Sequence, residues 1–246
     1  MKEHIKLIPK NSDYLILPLQ YNHIIQGMIY SLMNEEIASF LHEKGFIYEK
    51  RSFKMFTFSR LIGNYTLDKK DGKIIFKGPV LLTISSPFDE FCNTIASSLL
   101  LKKVINLGNS DVEIEQVTFE KDIVKDNKIK ICSLSPIVLY STLFRPDGRK
   151  YTCYFQPGEN EYNKLLENNL KKKYMAFYKQ EITDGEVKIA CLNQPRLSII
   201  NYKNTIIKGY TGTFILSGPI PLLQIAVDSG LGSKNSQGFG CVKILA

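Results

Sequence analysis

Two long apolar stripes at helical spacing, each set among short strand-like runs, constrain this chain more than any other feature. The first covers residues 88–106, with Phe88, Phe91, Cys92, Ile95, Ala96, Leu99 and Leu100 in one stripe. The second covers 160–178, with Tyr162, Leu166, Leu170, Tyr174 and Phe177 on one face. A one-sided helix must bury its stripe against another layer, so the strands around it must supply a sheet. Strand signals lie at 3–9, where Ile5 and Leu7 alternate with His4 and Lys6, and at 15–17, 53–62, 73–77, 79–85 and 112–119. Between them, residues 22–33 read as a helix through Ile25, Met28, Ile29 and Leu32. Asn34 before Glu35 and Glu36 reads as the N-cap of a second helix. That helix carries Ile37, Phe40 and Leu41 on one side and stops at Gly45.

The first half is therefore ordered β-α-β-β-α-β. The second half repeats the order without obvious sequence identity. It has a strand-rich stretch at 128–142, the helix 160–178, and strands at 186–192, 196–204 and 206–216. Pro219 and Pro221 then open a short helix through Val227, and 241–245 gives a last strand. The expected fold class is α+β: two tandem ferredoxin-like (RRM-like) domains, 1–122 and 128–246. The charged stretch 120–128, with Lys121, Asp122, Lys125, Asp126 and Lys128, is the expected linker. A chain of 246 residues has room for two such units.

Composition narrows the partner. Lys and Arg number 32 against 24 Asp and Glu, a net charge of +8, which is compatible with nucleic acid but does not require it. No apolar run approaches the roughly 18–20 residues of a membrane-spanning helix, and the amphipathic N-terminal segment does not read as the apolar core of a signal peptide. Cys92, Cys132, Cys153, Cys191 and Cys241 are widely spaced and form no CxxC pair. His4, His23 and His42 show no HExxH-type spacing. The expectation is a cytoplasmic protein with reduced, mostly buried thiols, no membrane, no metal and no small-molecule cofactor.

The most informative segment runs from Gly230 to Gly240, where four of the 16 glycines fall in 11 residues. Gly230, Gly232, Gly238 and Gly240 permit positive φ and let backbone amides approach a ligand. Lys234 adds a charge, while Ser233, Asn235 and Ser236 add hydrogen-bonding groups, a combination suited to a phosphodiester. Named phosphate motifs fail. No Lys follows a Gly at P-loop spacing, and Asn235 stands where a dinucleotide fingerprint needs its third Gly. The stretch 237–244 is nearer the RNP1 pattern, but Cys241 and Ile244 replace its stacking aromatics. From the residues alone, a phosphate cradle and a glycine-rich turn under the last strand both remain open.

The two G-x-G pairs around a basic-polar segment, at the end of a tandem ferredoxin-like chain, resemble a known family. The chain looks like the repeat-processing endoribonucleases of CRISPR systems, the sixth CRISPR-associated protein family of the repeat-associated mysterious protein superfamily. Tyr21-Asn22-His23, Gln26-Gly27, Ile29-Tyr30, Phe40-Leu41-His42-Glu43 and Lys54-Met55-Phe56-Thr57-Phe58-Ser59 carry the same resemblance at the other end. It implies metal-independent cleavage of CRISPR repeat RNA, the 2′-hydroxyl attacking the adjacent phosphate to leave a 2′,3′-cyclic phosphate and a 5′-hydroxyl. It implies Tyr30, His42 and Lys54 as catalytic residues. It also implies RNA contacts from the glycine segment, and further CRISPR effector subunits as partners. His42, near a helix end, belongs to the side-chain type best suited to proton transfer near neutrality. Tyr30 is a poor base but a hydrogen-bond donor. On one straight helix Tyr30 and His42 would stand about 120° apart, so the chain must bend, and Asn34-Glu35-Glu36 is where a bend is expected.

Lys50 and Arg51 rival Lys54 for the phosphate, and His23 is assigned an RNA-contact or structural role. Lys171-Lys172-Lys173, Lys102-Lys103 and Lys69-Lys70 read as solvated charge clusters. Recognition of one repeat must come from base or shape contacts, which phosphate contacts cannot supply. Two other readings compete: a non-catalytic RNA-binding subunit of the same superfamily, and an enzyme of small anionic metabolites that uses the glycine segment for a phosphate.

Overall fold

The 13-residue strand Lys73–Ser85 organises the first sheet because it is paired along both edges. On one edge it meets Lys2–Pro9 and Tyr14–Pro18; on the other it meets Thr57–Phe58 and Ile62–Asp68. Lys2–Pro9 continues outward to Ser110–Glu120, which pairs with Val104–Leu107. All of these pairings are antiparallel. The computed structural model behind this description covers residues 1–182 and 185–245.

Helices α1 (Asn22–Leu32), α2 (Glu35–Ser39) and α3 (Asp89–Leu101) complete the first layer pair. Ile25 and Ile29 of α1 and Phe91, Ile95 and Leu99 of α3 join Ile5, Leu7, Leu82 and Ile84 of the sheet in one buried cluster. The second sheet runs Lys188–Cys191, Thr213–Ser217, Lys128–Ser133, Val242–Ile244. Helices α4 (Asn160–Tyr178) and α5 (Ile220–Ser229) pack their apolar faces on it through Tyr162, Leu166, Leu170, Leu222 and Leu223. Each half thus has the strand order of a ferredoxin-like unit, and the expected fold class holds.

Several boundaries differ from the sequence reading. The helical stripe of 88–106 ends at Leu101. Leu100 and Leu101 are 77% and 85% exposed, and β-branched Val104 and Ile105 instead join the sheet edge. The run 53–62 is not one strand: it breaks into Arg51–Phe53 and Thr57–Phe58, with Ile62–Asp68 following. The runs 73–77 and 79–85 fuse into one strand. The run 206–216 divides at Gly212 between Thr205–Thr211 and Thr213–Ser217. A hairpin of Tyr140–Phe144 and Lys150–Tyr154 stands where no second strand was expected. Of the five thiols only Cys92 and Cys241 are buried, and Cys191 is exposed.

The segment between the sheets is fastened down. The Val124 amide donates to Gln224 Oε1 of α5 at 2.9 Å, and Asp122 pairs with the buried Lys2. No helix among the described residues is long and apolar enough to cross a membrane.

Glu3 shares the inward face of its strand with Ile5 and Leu7 and is 1% exposed. Neither carboxylate oxygen has a hydrogen-bond partner among the described residues, and burial pushes the carboxyl up to about 8. A carboxyl raised from 4.5 contributes stability below its unfolded value, and loses it as pH rises through about 8. Glu3→Gln should therefore melt close to wild type near about pH 5 and on the order of 5 °C above it near about pH 9. Thermal denaturation followed by circular dichroism at the two pH values checks this.

Candidate active site and its glycine-rich loop

The bend expected after α1 is present and has an identifiable cause. Met33 is extended (ψ 154°), and Asn34 Oδ1 accepts from the Ile37 amide at 2.9 Å, so a new helix starts in a new direction. α2 passes into a π-helical turn, Phe40–Lys44, closed by the Gly45 amide on the Phe40 carbonyl at 2.7 Å. Gly45 has φ +64°, and a Cβ there would lie 2.7 Å from the Phe53 carbonyl oxygen. The chain therefore reverses tightly into the hairpin Phe46–Tyr48 and Arg51–Phe53.

This path brings the rings of Tyr30 and His42 edge to face, with centroids 6.3 Å apart. Lys54 Nζ donates to the His42 main-chain carbonyl at 3.1 Å. The imidazole is exposed, whereas Tyr30 is half-buried against Phe56, and burial pushes its hydroxyl up to about 12. Lys54 is half-buried, and burial lowers its ammonium from 10.5.

Lys54 is not in a strand, as the sequence reading had it. Met55 is held at φ +55°, a conformation that costs a non-glycine residue about 1–3 kcal/mol. In return, successive side chains go to different places. Met55 enters the second core, and Phe56 enters the first, stacked on Phe91 at 5.0 Å. Lys54 remains at the seam between the two halves.

The glycine segment closes that seam. Gly230–Gly232 and Gly238–Gly240 are buried, while 233–237 is half-buried around a short 3-10 turn, Asn235–Gln237. Its carbonyls are taken by side chains from both halves. From the first half, Asn22 Nδ2 donates to the Gln237 carbonyl at 2.8 Å and Gln26 Nε2 to the Ser236 carbonyl at 2.7 Å. Thr57 Oγ1 donates to the Phe239 carbonyl at 2.9 Å. From α4, Lys173 Nζ donates to the Gly230 carbonyl at 2.6 Å and to Asn235 Oδ1 at 2.7 Å. A cleft of about 710 Å³ opens beside the loop, lined by Arg51, Lys54, Tyr140, Asn169, Ser233, Lys234 and Ser236 among others. Lys234 Nζ stands 5.4 Å from the Tyr140 ring centroid.

Family models described as CRISPR-associated protein Cas6, N-terminal, and CRISPR associated protein Cas6, C-terminal, match residues 16–118 and 117–244. The chain belongs to the Cas6 family. A CRISPR-associated endoribonuclease Cas6 of Methanocaldococcus jannaschii is 29% identical over 242 residues, covering 97% of this chain and 91% of that protein. A second, from Pyrococcus furiosus, is 26% identical and covers 99% of this chain and 90% of its own length. A solved structure titled CRISPR associated protein Cas6 superposes with a TM-score of 0.79 at 27% identity, covering 100% of this chain and 99% of that one.

Within this Cas6 chain the expected site residues separate into groups. Tyr30, His42 and Lys54 converge. Arg51, Ser233, Lys234 and Ser236 face the cleft, with Gly232 and Asn235 on its wall. The Asn235 carboxamide is spent inside the loop, because Nδ2 also donates to the Leu231 and Phe239 carbonyls at 3.0 Å. The glycines act by shape: each has positive φ, and a Cβ on Gly240 would sit 2.0 Å from the Leu231 carbonyl oxygen. Lys50 is exposed at the hairpin turn, outside the cleft lining. His23 is at the far end of α1 from Tyr30, its Nδ1 3.0 Å from the Gln20 carbonyl.

Sequence reasoning missed Lys173. It was grouped with a solvated lysine cluster, but it is 2% exposed, and burial pulls its ammonium down to about 7. Lys171 and Lys172 instead pair with Glu167 and Glu49. Asn22 and Gln26 belong to blocks that carried the family resemblance, and their role is to seat the loop. Lys173→Met should cost at least about 2 kcal/mol of stability, because two buried acceptors lose their donor. Urea unfolding of wild type and variant measures it.

Proposed function

We propose that this chain is an endoribonuclease that cuts CRISPR precursor RNA within its repeats, without a metal ion. The 2′-hydroxyl attacks the adjacent phosphate, the bond to the 5′-oxygen breaks, and the products end in a 2′,3′-cyclic phosphate and a 5′-hydroxyl. The observation that carries this reading is the meeting of Tyr30, His42 and Lys54 across a helix break, a π-turn and a left-handed Met55. That chemistry requires a group to move protons and a cation for the crowded phosphorane. The exposed His42 imidazole serves the first need, and the Lys54 ammonium the second. Tyr30 keeps its proton, since burial holds it up to about 12, so it donates a hydrogen bond and does not act as a base. Relatives named as Cas6 endoribonucleases support the same activity.

In this reading residues 1–122 form the catalytic domain, and 128–246 form the domain that carries the glycine loop. The protein works in the cytoplasm on repeat RNA, and other CRISPR effector subunits are a further class of partner. A binding-only subunit would have no need of three converging side chains with these chemistries.

Incubation with cognate repeat RNA in excess EDTA, with both product ends mapped, tests the reaction. The expected products are a cyclic phosphate and a 5′-hydroxyl, and a deoxyribose at the scissile 2′ position should abolish cutting while binding persists. Loss of cleavage on chelation would reject the mechanism.

His42→Ala should lower the single-turnover rate by at least roughly 10²-fold while RNA affinity survives. Tyr30→Phe should lower the rate without displacing the pH–rate profile, because the tyrosine does not titrate in the working range.

A further inference from the structure

Sequence-specific cutting needs a side chain that reads a base, because contacts to phosphates carry no sequence information. Asn169 lies on α4 one turn before Lys173 and is 4% exposed. It lines the main cleft and also a smaller cavity of about 280 Å³, and Arg51, Tyr140 and Ser233 line both as well. Its Oδ1 is shielded from solvent and accepts no hydrogen bond from the described residues. A buried acceptor without a donor calls for a specific explanation.

The neighbours of Asn169 narrow what supplies that donor. Lys173 Nζ is committed to Gly230 and Asn235 of the loop. A phosphate cannot donate, and Arg51, Lys54 and Lys234 already line the cleft to receive phosphates. Tyr140 presents an aromatic ring in the same wall. We infer that Asn169 is a specificity-determining residue, which reads the exocyclic amino group of an adenine or cytosine of the repeat RNA held in this cleft. A carboxamide sets an acceptor beside a donor. Adenine and cytosine present the complement, an amino group beside a ring nitrogen. The inference rests on the proposed RNA cleavage.

The test scans a cognate repeat RNA. Each adenine and cytosine near the scissile phosphate is replaced, one at a time, by an analogue lacking the exocyclic amine, and kcat/KM is measured with wild type and Asn169→Ala. Wild type should lose roughly 5- to 150-fold at one position. Asn169→Ala should abolish that dependence there and leave the effects of other substitutions in place. Asn169→Ser, smaller and still polar, replaces the alanine variant if circular dichroism shows that it does not fold. No amine dependence in wild type, or dependence that persists in the variant, overturns the inference, and so does a ribose hydroxyl emerging as the required donor. Wild type that cuts no cognate repeat rejects the proposed function instead, so the two failures are distinct.

Discussion

The site depends on one interaction: the glycine loop's carbonyl oxygens are bonded by side chains from both halves of the chain. Asn22, Gln26 and Thr57 reach it from the first half and Lys173 from the second. A buried carbonyl without a donor is costly, so the loop sits firmly only when both halves are in place. Positive φ at Gly230, Gly232, Gly238 and Gly240 bends the chain tightly enough to present those oxygens, and no room remains for a Cβ. The same elements carry the proposed catalytic groups. Gln26 is one turn from Tyr30 on α1, and Thr57 is three residues from Lys54. Tyr202 extends the network, since its hydroxyl donates to Gln26 Oε1.

Burial acts on the proposed catalytic groups in opposite senses. It keeps Tyr30 protonated and makes the Lys54 ammonium easier to deprotonate. Both effects disfavour charge away from water. The cost is tolerable for Lys54 because it stays half-exposed at the seam and donates to the His42 carbonyl. The His42 imidazole itself is exposed. His42 lies within the π-turn Phe40–Lys44, which follows the break at Met33.

Periodicity carried much of the fold because most elements bury one face. Ile25, Ile29, Leu166 and Leu170 sit where the helical spacing put them. It failed where local geometry wins over pattern. The run through 53–62 alternates well enough for a strand, but a left-handed Met55 interrupts it, and no neighbouring residue announces that conformation. The stripe after Leu99 continues in hydropathy into two leucines that the fold leaves exposed. Lys173 was legible in principle. It follows Leu166 and Leu170 at spacings of seven and three, on the buried stripe, and a lysine there needs acceptors. What hid it was its company, two neighbours that are ordinary surface ion pairs. Tyr30, His42 and Lys54 became legible through the family resemblance, and periodicity alone did not join them.

Native-state hydrogen exchange at Leu231 and Gly240 tests the two-sided seat most directly. Their amides donate to the Gly240 and Pro136 carbonyls at 2.8 Å. A loop held from both halves predicts that they exchange only through the opening that also exposes the core strands of both sheets. Gln26→Ala should then accelerate exchange in the loop. Rapid exchange at Leu231 and Gly240 while both sheets stay protected would contradict the account.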